Sequence, residues 1–112
     1  MIYKVGVGWI IYIKIHDTEN GDMVAMCDSS LIDKVLTDGD VEINIKDYSD
    51  FYKEKLVDIE KASKMISPER LYSANIIGKE SVEASIRSNI IDKDNVKYVG
   101  KVPYAHAFRI KY

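Results

Sequence analysis

A chain of 112 residues, 46% hydrophobic and 30% charged, carries enough apolar matter for one core and too little for two. Two prolines, no low-complexity tract and no solenoid period exclude a disordered tail protein and a repeat array. A net charge of −2 argues against a general nucleic-acid coat protein, and the apolar run 5–13, closed by Lys14, is too short to span a bilayer, so no membrane partner is expected. The single cysteine, Cys27, has no intramolecular disulfide partner, and with no signal peptide this reads as a reducing cytoplasm.

The charge is unevenly placed. Residues 17–60 hold 13 acids against 4 bases, whereas residues 95–112 hold Lys97, Lys101, Arg109 and Lys111 and no acid. Two readings stand: solvated faces of no further meaning, or a basic C-terminal ribbon that meets a phosphate-bearing partner.

In chain order, Gly6-Val7-Gly8 reads as a flexible lead-in. Trp9 to His16 is rich in β-branched and aromatic residues and predicts a strand. Asn20-Gly21 is a strong turn signal, and Asp22 to Cys27 returns, so residues 9–27 form a hairpin. Ser30 to Leu36 reads as a short helix, with Leu31, Ile32 and Val35 toward the core. Val41, Ile43 and Ile45 alternate with Glu42, Asn44 and Lys46, which predicts a half-buried strand.

Residues 47–55 are irregular and contain the aromatic pair Phe51-Tyr52. Val57 to Ile66 has helical spacing, and Ser67-Pro68 ends it or opens another turn. Ser73-Ala74-Asn75-Ile76-Ile77-Gly78 reads as an apolar loop joining two helices, with a partly buried Asn75 whose amide ties it to the Cys27 and Pro103 segments. Lys79 to Asn89 is helical, with Val82, Ile86 and Ile90 inward. A turn at residues 92–95, a strand at 96–99, a turn at Gly100-Lys101 and a final strand from Ala105 to Tyr112 complete the chain. The expected fold is α+β: a single compact domain over residues 1–112, with about five mostly antiparallel strands and two or three helices.

Several segments together carry a family likeness. They are Cys27-Asp28, Leu31, Lys34, Phe51-Tyr52, Ser73-Ala74-Asn75 with Ile77-Gly78, and Gly100-Lys101-Val102-Pro103 with Ala105-His106. In order and spacing they resemble an archaeal family of small proteins, domain of unknown function 424, over roughly Met23 to Arg109. The likeness departs at Lys53-Glu54, where the family tends to have glycine, and at Pro103-Tyr104-Ala105-His106, where it resembles Pro-His-Ala-Gln. The resemblance implies an archaeal cytoplasmic α+β protein and supplies no activity.

Cys27, Asn75 and His106 are candidate catalytic residues, because a cysteine nucleophile needs a base within hydrogen-bond reach and a group to orient it. Cys27 lies at the end of an apolar strand, where a small core residue is the other reading. His16, Cys27 and His106 are too scattered for a metal pair, and no cofactor motif occurs. Candidate ligand-binding residues are Asn75, Gly78 and Lys79 at a helix start able to attract an anion, and Lys101, Tyr104, His106 and Arg109 in the basic ribbon. Along the last strand, Tyr104, His106 and Phe108 share one face and Ala105, Ala107 and Arg109 the other.

The preferred sequence reading is a non-enzymatic binding module whose partner is RNA or a ribonucleoprotein. The alternatives are a small enzyme with a pocket of Cys27, Asn75 and His106, and a protein-binding subunit or homodimer.

Overall fold

The computed structural model describes residues 10–108. The apolar alternation near the N-terminus produces β1 (Ile11–Thr18), which turns back into β2 (Gly21–Asp28) as expected. The turn is closed by Thr18, whose Oγ1 donates to the Gly21 carbonyl at 2.6 Å and accepts from the Asn20 N–H at 3.1 Å. Trp9 and Gly6-Val7-Gly8 lie outside the described residues.

The 30–36 segment is not the helix its serines suggest. A single 3-10 turn spans Ser29–Leu31, Asp33 takes a left-handed φ of 68°, and the chain then runs extended as β3 (Val35–Asp38). Val35 and Thr37 are β-branched, and β3 gains a partner in β4 (Val41–Asn44), which a seven-residue helix could not offer. Val35 consequently points outward, 44% exposed, while Leu31 and Ile32 pack at a core edge.

The segment 47–55 has more order than its sequence shows. A 3-10 turn at Lys46–Tyr48 leads into a one-turn helix α1 (Ser49–Tyr52), followed by β5 (Lys55–Val57). Val57 therefore ends a strand, and α2 (Ile59–Met65) starts two residues after the expected Val57, capped by Asp58 Oδ1, which accepts the Lys61 N–H at 2.7 Å. A 3-10 turn at Pro68–Arg70 follows, with proline at its first position.

The largest departure is Ser73–Gly78. It is no loop between helices: Leu71–Ile77 is β6, an interior strand of the main sheet. After it come α3 (Lys79–Arg87), β7 (Lys97–Val99) and β8 (Val102–Phe108). The last strand begins at Val102 instead of Ala105. Its Pro103 accepts the Gly78 N–H at 2.8 Å but cannot return the bond, and the Gly78 carbonyl takes the Val82 N–H at 2.9 Å instead, so no acceptor is left unpaired there.

The fold is α+β, with a six-stranded sheet in place of the five or so strands expected, ordered β5-β1-β2-β6-β8-β7, and a separate β3–β4 hairpin. Pairing is antiparallel except between β2 and β6. One face carries Ile11, Ile13, Met26 and Ile76, all fully buried under α2 and α3. Each such side chain contributes about 1.5–3 kcal/mol through burial. The other face carries Ala25, Cys27 and Ile77 beneath the hairpin and α1, where Ile45 and Tyr52 complete a second core. Because side chains alternate along a strand, each central strand feeds both cores. Ile86, expected to face inward, is 38% exposed at the flank of α3.

Candidate functional site

The cover over the second face is short, so it leaves a cavity of about 650 Å³ beside the hairpin. Its floor is Asn75 and Ile77 from β6 with Tyr104 and His106 from β8. Asn75 is directly opposite His106, and Ile77 opposite Tyr104, so the antiparallel register alone sets these neighbours. Its walls are Val41 to Asn44 of β4 and the aromatic residues Tyr48, Phe51 and Tyr52.

The wall is held by backbone acceptors on α1. Lys14 Nζ donates to the Asp50 carbonyl at 3.2 Å, and His16 Nε2 lies 3.2 Å from the Phe51 carbonyl. The His16 ring stacks on Phe51 with centroids 4.9 Å apart, and Tyr52 meets Phe51 edge-on at 5.2 Å. His16 is thus a support for an aromatic wall. The hairpin is fixed at its base by Lys34, whose carbonyl accepts the N–H groups of Ile45 and Lys46, and at its tip by Asp38, which accepts the Gly100 N–H at 2.9 Å.

Asn75 does not tie segments together through its side chain: the amide is half-buried, faces the cavity and makes no hydrogen bond among the described residues. The ties run through backbone, on one side to β2 and on the other to β8.

Cys27 stands apart from this site. It lies on β2, fully buried, and does not line the cavity. His106 is exposed on β8, and β6 runs between the two strands, so they are two strand spacings apart, about 10 Å. That is beyond hydrogen-bond reach, and a rigid strand fills the gap. Burial, aided by the neighbouring Asp28 charge, pushes the Cys27 thiol up to about 12. The Cys27–His106 pairing that a thiol nucleophile requires is absent, because sheet order separates what sequence composition offered together.

The helix start at Gly78 is already filled. The Asp28 carboxylate, from the end of β2, accepts the N–H of Glu80 at 3.1 Å, the N–H of Ser81 at 2.8 Å and the Ser81 hydroxyl at 2.8 Å. The anion attracted to this helix dipole is therefore the protein's own side chain. Gly78 adopts a φ of 111°, and a Cβ there would overlap the Asp28 carboxyl. Burial pushes that carboxyl up to about 7, despite the donors that favour its charged form. Asp28 had no assigned role in the sequence. The only signal was its adjacency to Cys27 at a strand end, matched by Gly78 and Ser81 at a helix start.

On the opposite face of the sheet, a second concavity of about 450 Å³ lies between α3 and the sheet edge. Val96, Tyr98 and Pro103 line it from the sheet side, and Lys79, Val82, Glu83, Ile86, Arg87 and Lys93 from the helical side. Tyr98 is 63% exposed. Arg87 pairs with Glu83. Lys79, Lys93, Lys97 and Lys101 make no ion pair among the described residues. Lys79 thus belongs to this groove and not to an anion site at Gly78, and Lys101 is exposed in the adjoining turn. Arg87 and Lys93 were not singled out from sequence, since helix and turn cations are ordinarily solvated. Arg109 and Lys111 lie outside the described residues.

Among the described residues no group of three or more His, Cys, Asp or Glu is placed to hold a metal ion, and no helix is long and apolar enough to cross a membrane. No curated protein matches the chain. The fold is similar to the crystal structure of an uncharacterized conserved protein from Methanopyrus kandleri, with a TM-score of 0.72 at 20% identity over 91% of this chain and 96% of that one. A family model described as protein of unknown function (DUF424) matches residues 15–110, nearly the whole chain, and the protein belongs to that family.

Proposed function

We propose that the protein is a non-enzymatic binding module for single-stranded RNA, alone or within a ribonucleoprotein, engaged along the β7 edge and the α3 groove. The observation that carries this is the placing of Lys79 and Lys93, both without ion-pair partners among the described residues, in one groove with Arg87 and the exposed ring of Tyr98, with Lys101 exposed in the adjoining turn. Lysines that lack acidic partners are available to phosphate, and an exposed phenol offers a face on which any base can stack. The basic edge differs from the expected ribbon in its makeup. Tyr104 and His106 turn to the other face of the sheet, which leaves Tyr98, an aromatic residue of that ribbon, beside the α3 cations.

The test is fluorescence anisotropy with a mixed-sequence single-stranded RNA across a salt series. Affinity should fall with salt at a slope of about −0.7 per phosphate contacted. The double variant Lys79→Ala/Lys93→Ala should reduce that slope by about 1.4. Tyr98→Ala should weaken binding by about 1–3 kcal/mol with the slope unchanged. Absent or salt-independent binding would sink the reading.

A further inference from the structure

The cavity on the hairpin face is left unused by RNA contacts along the basic edge, and its chemistry is of another kind. Among the described residues Glu42 is the single carboxylate lining it, on a hairpin that carries no base. A phosphate would meet that carboxylate at the wall, with no lysine or arginine among the lining residues to pair with. The walls are aromatic: Tyr48 stands 62% exposed at the rim, and Phe51 is fixed in orientation by the His16 ring stacked on it. The floor offers the Asn75 amide, with two donors and an acceptor engaged by no group among the described residues, beside the His106 ring across the strand pair. An amide presents a donor and an acceptor side by side, the pattern that matches the edge of a nucleobase. The volume lies within the range of small-ligand sites.

We infer that this cavity binds an uncharged planar heterocycle, a nucleobase or phosphate-free nucleoside, with Tyr48 and Phe51 against its faces and Asn75 reading its edge. The inference goes beyond the RNA reading and stands independently of it, because the two sites lie on opposite faces of the sheet and share no lining residue. Rigid aromatic side chains supply contact area with little entropy lost, and an amide already free of partners has no protein bond to give up on binding.

The experiment is an NMR titration of the full chain with the four common ribonucleosides and, separately, with their monophosphates. At least one nucleoside should shift the Asn75 side-chain and His106 resonances, with a dissociation constant of about 1 mM or tighter. Its monophosphate should bind at least about tenfold more weakly. Asn75→Ala should weaken binding about tenfold or more by removing the edge contact. Tyr48→Ala, at an exposed position that the fold does not need, should also weaken it. Lys79→Ala/Lys93→Ala should leave nucleoside binding unchanged while altering RNA binding, so failure of one site is distinguishable from failure of the other. No shift with any nucleoside, equal binding of the monophosphate, or an unaffected Asn75→Ala variant would each overturn the proposal.

Discussion

The cavity and the groove share one strand, β8, and differ in almost every property. Strand β8 gives Pro103 to the groove and Tyr104 and His106 to the cavity, one residue apart. The groove is rimmed by lysines, the cavity by a hairpin of acids. The hairpin acids and the Lys79, Arg87 and Lys93 cations of the groove lie on opposite faces of one sheet. The period of two along a strand makes that separation sharp, since adjacent side chains cannot share a face. The two sites are also anchored differently. The cavity rests on pairing within the sheet, whereas the groove depends on α3, whose start is held by the single carboxylate of Asp28.

That difference can be broken from the groove side with the largest effect. Gly78→Ala would force a side chain into a backbone conformation of φ 111° and against the Asp28 carboxyl. Unfolding by denaturant should show a loss of about 2–4 kcal/mol. The groove should suffer first, with RNA binding lost at temperatures where the cavity resonances still report a fold.

The next effect comes from titrating the same anchor. The Asp28 carboxyl titrates near 7 when folded, above the usual carboxylate value of about 3.9. A raised acid pKa means that folding favours the protonated form. Its stabilising contribution is full below the unfolded value and is lost as pH rises from about 4 to about 7, at most about 4 kcal/mol. Thermal melts across that range should show this decline, and Asp28→Asn should flatten it while lowering stability through a mismatched amide at the helix start. A stability that rises over the window would show that the Glu80 and Ser81 donors outweigh burial.

The smallest effect is expected in the cavity floor. Asn75→Ala removes no side-chain hydrogen bond among the described residues, so stability should change by less than about 0.5 kcal/mol. A loss of 1–3 kcal/mol, the typical result of leaving buried groups unpaired, would return Asn75 to an architectural role. Near-neutral stability with lost nucleoside binding would sharpen the contrast: one site built around a spare polar group, the other around an anchored helix.

Local chemistry made much of the fold legible. The Asn20-Gly21 turn, the α2 and α3 periodicities, the Ser67-Pro68 start and the β4 alternation all formed near where their residue types placed them. Residues 47–55, expected to be irregular, hold α1 and the start of β5, and two further segments took another form than their residues suggest, each for a tertiary reason. Residues 30–36 have caps suited to a helix, but the segment gains more by pairing with β4. Leu71–Ile77 looks like an apolar loop because an Asn interrupts it. As a strand between two cores it is ordinary, with Ala74 and Ile76 under the helices and Asn75 and Ile77 under the hairpin.

The site divides in the same way. The sequence by itself determined that Tyr104, His106 and Phe108 share a face, because alternation is a property of any strand. It also placed the acidic and basic ends of the chain. Only the tertiary structure decided that Asn75 stands beside His106, that Cys27 is sealed away from both, and that Asp28 occupies the helix start at Gly78. Those outcomes depend on strand order and register, which are set by how two faces of one sheet find cover at once, and no local pattern along the chain encodes that.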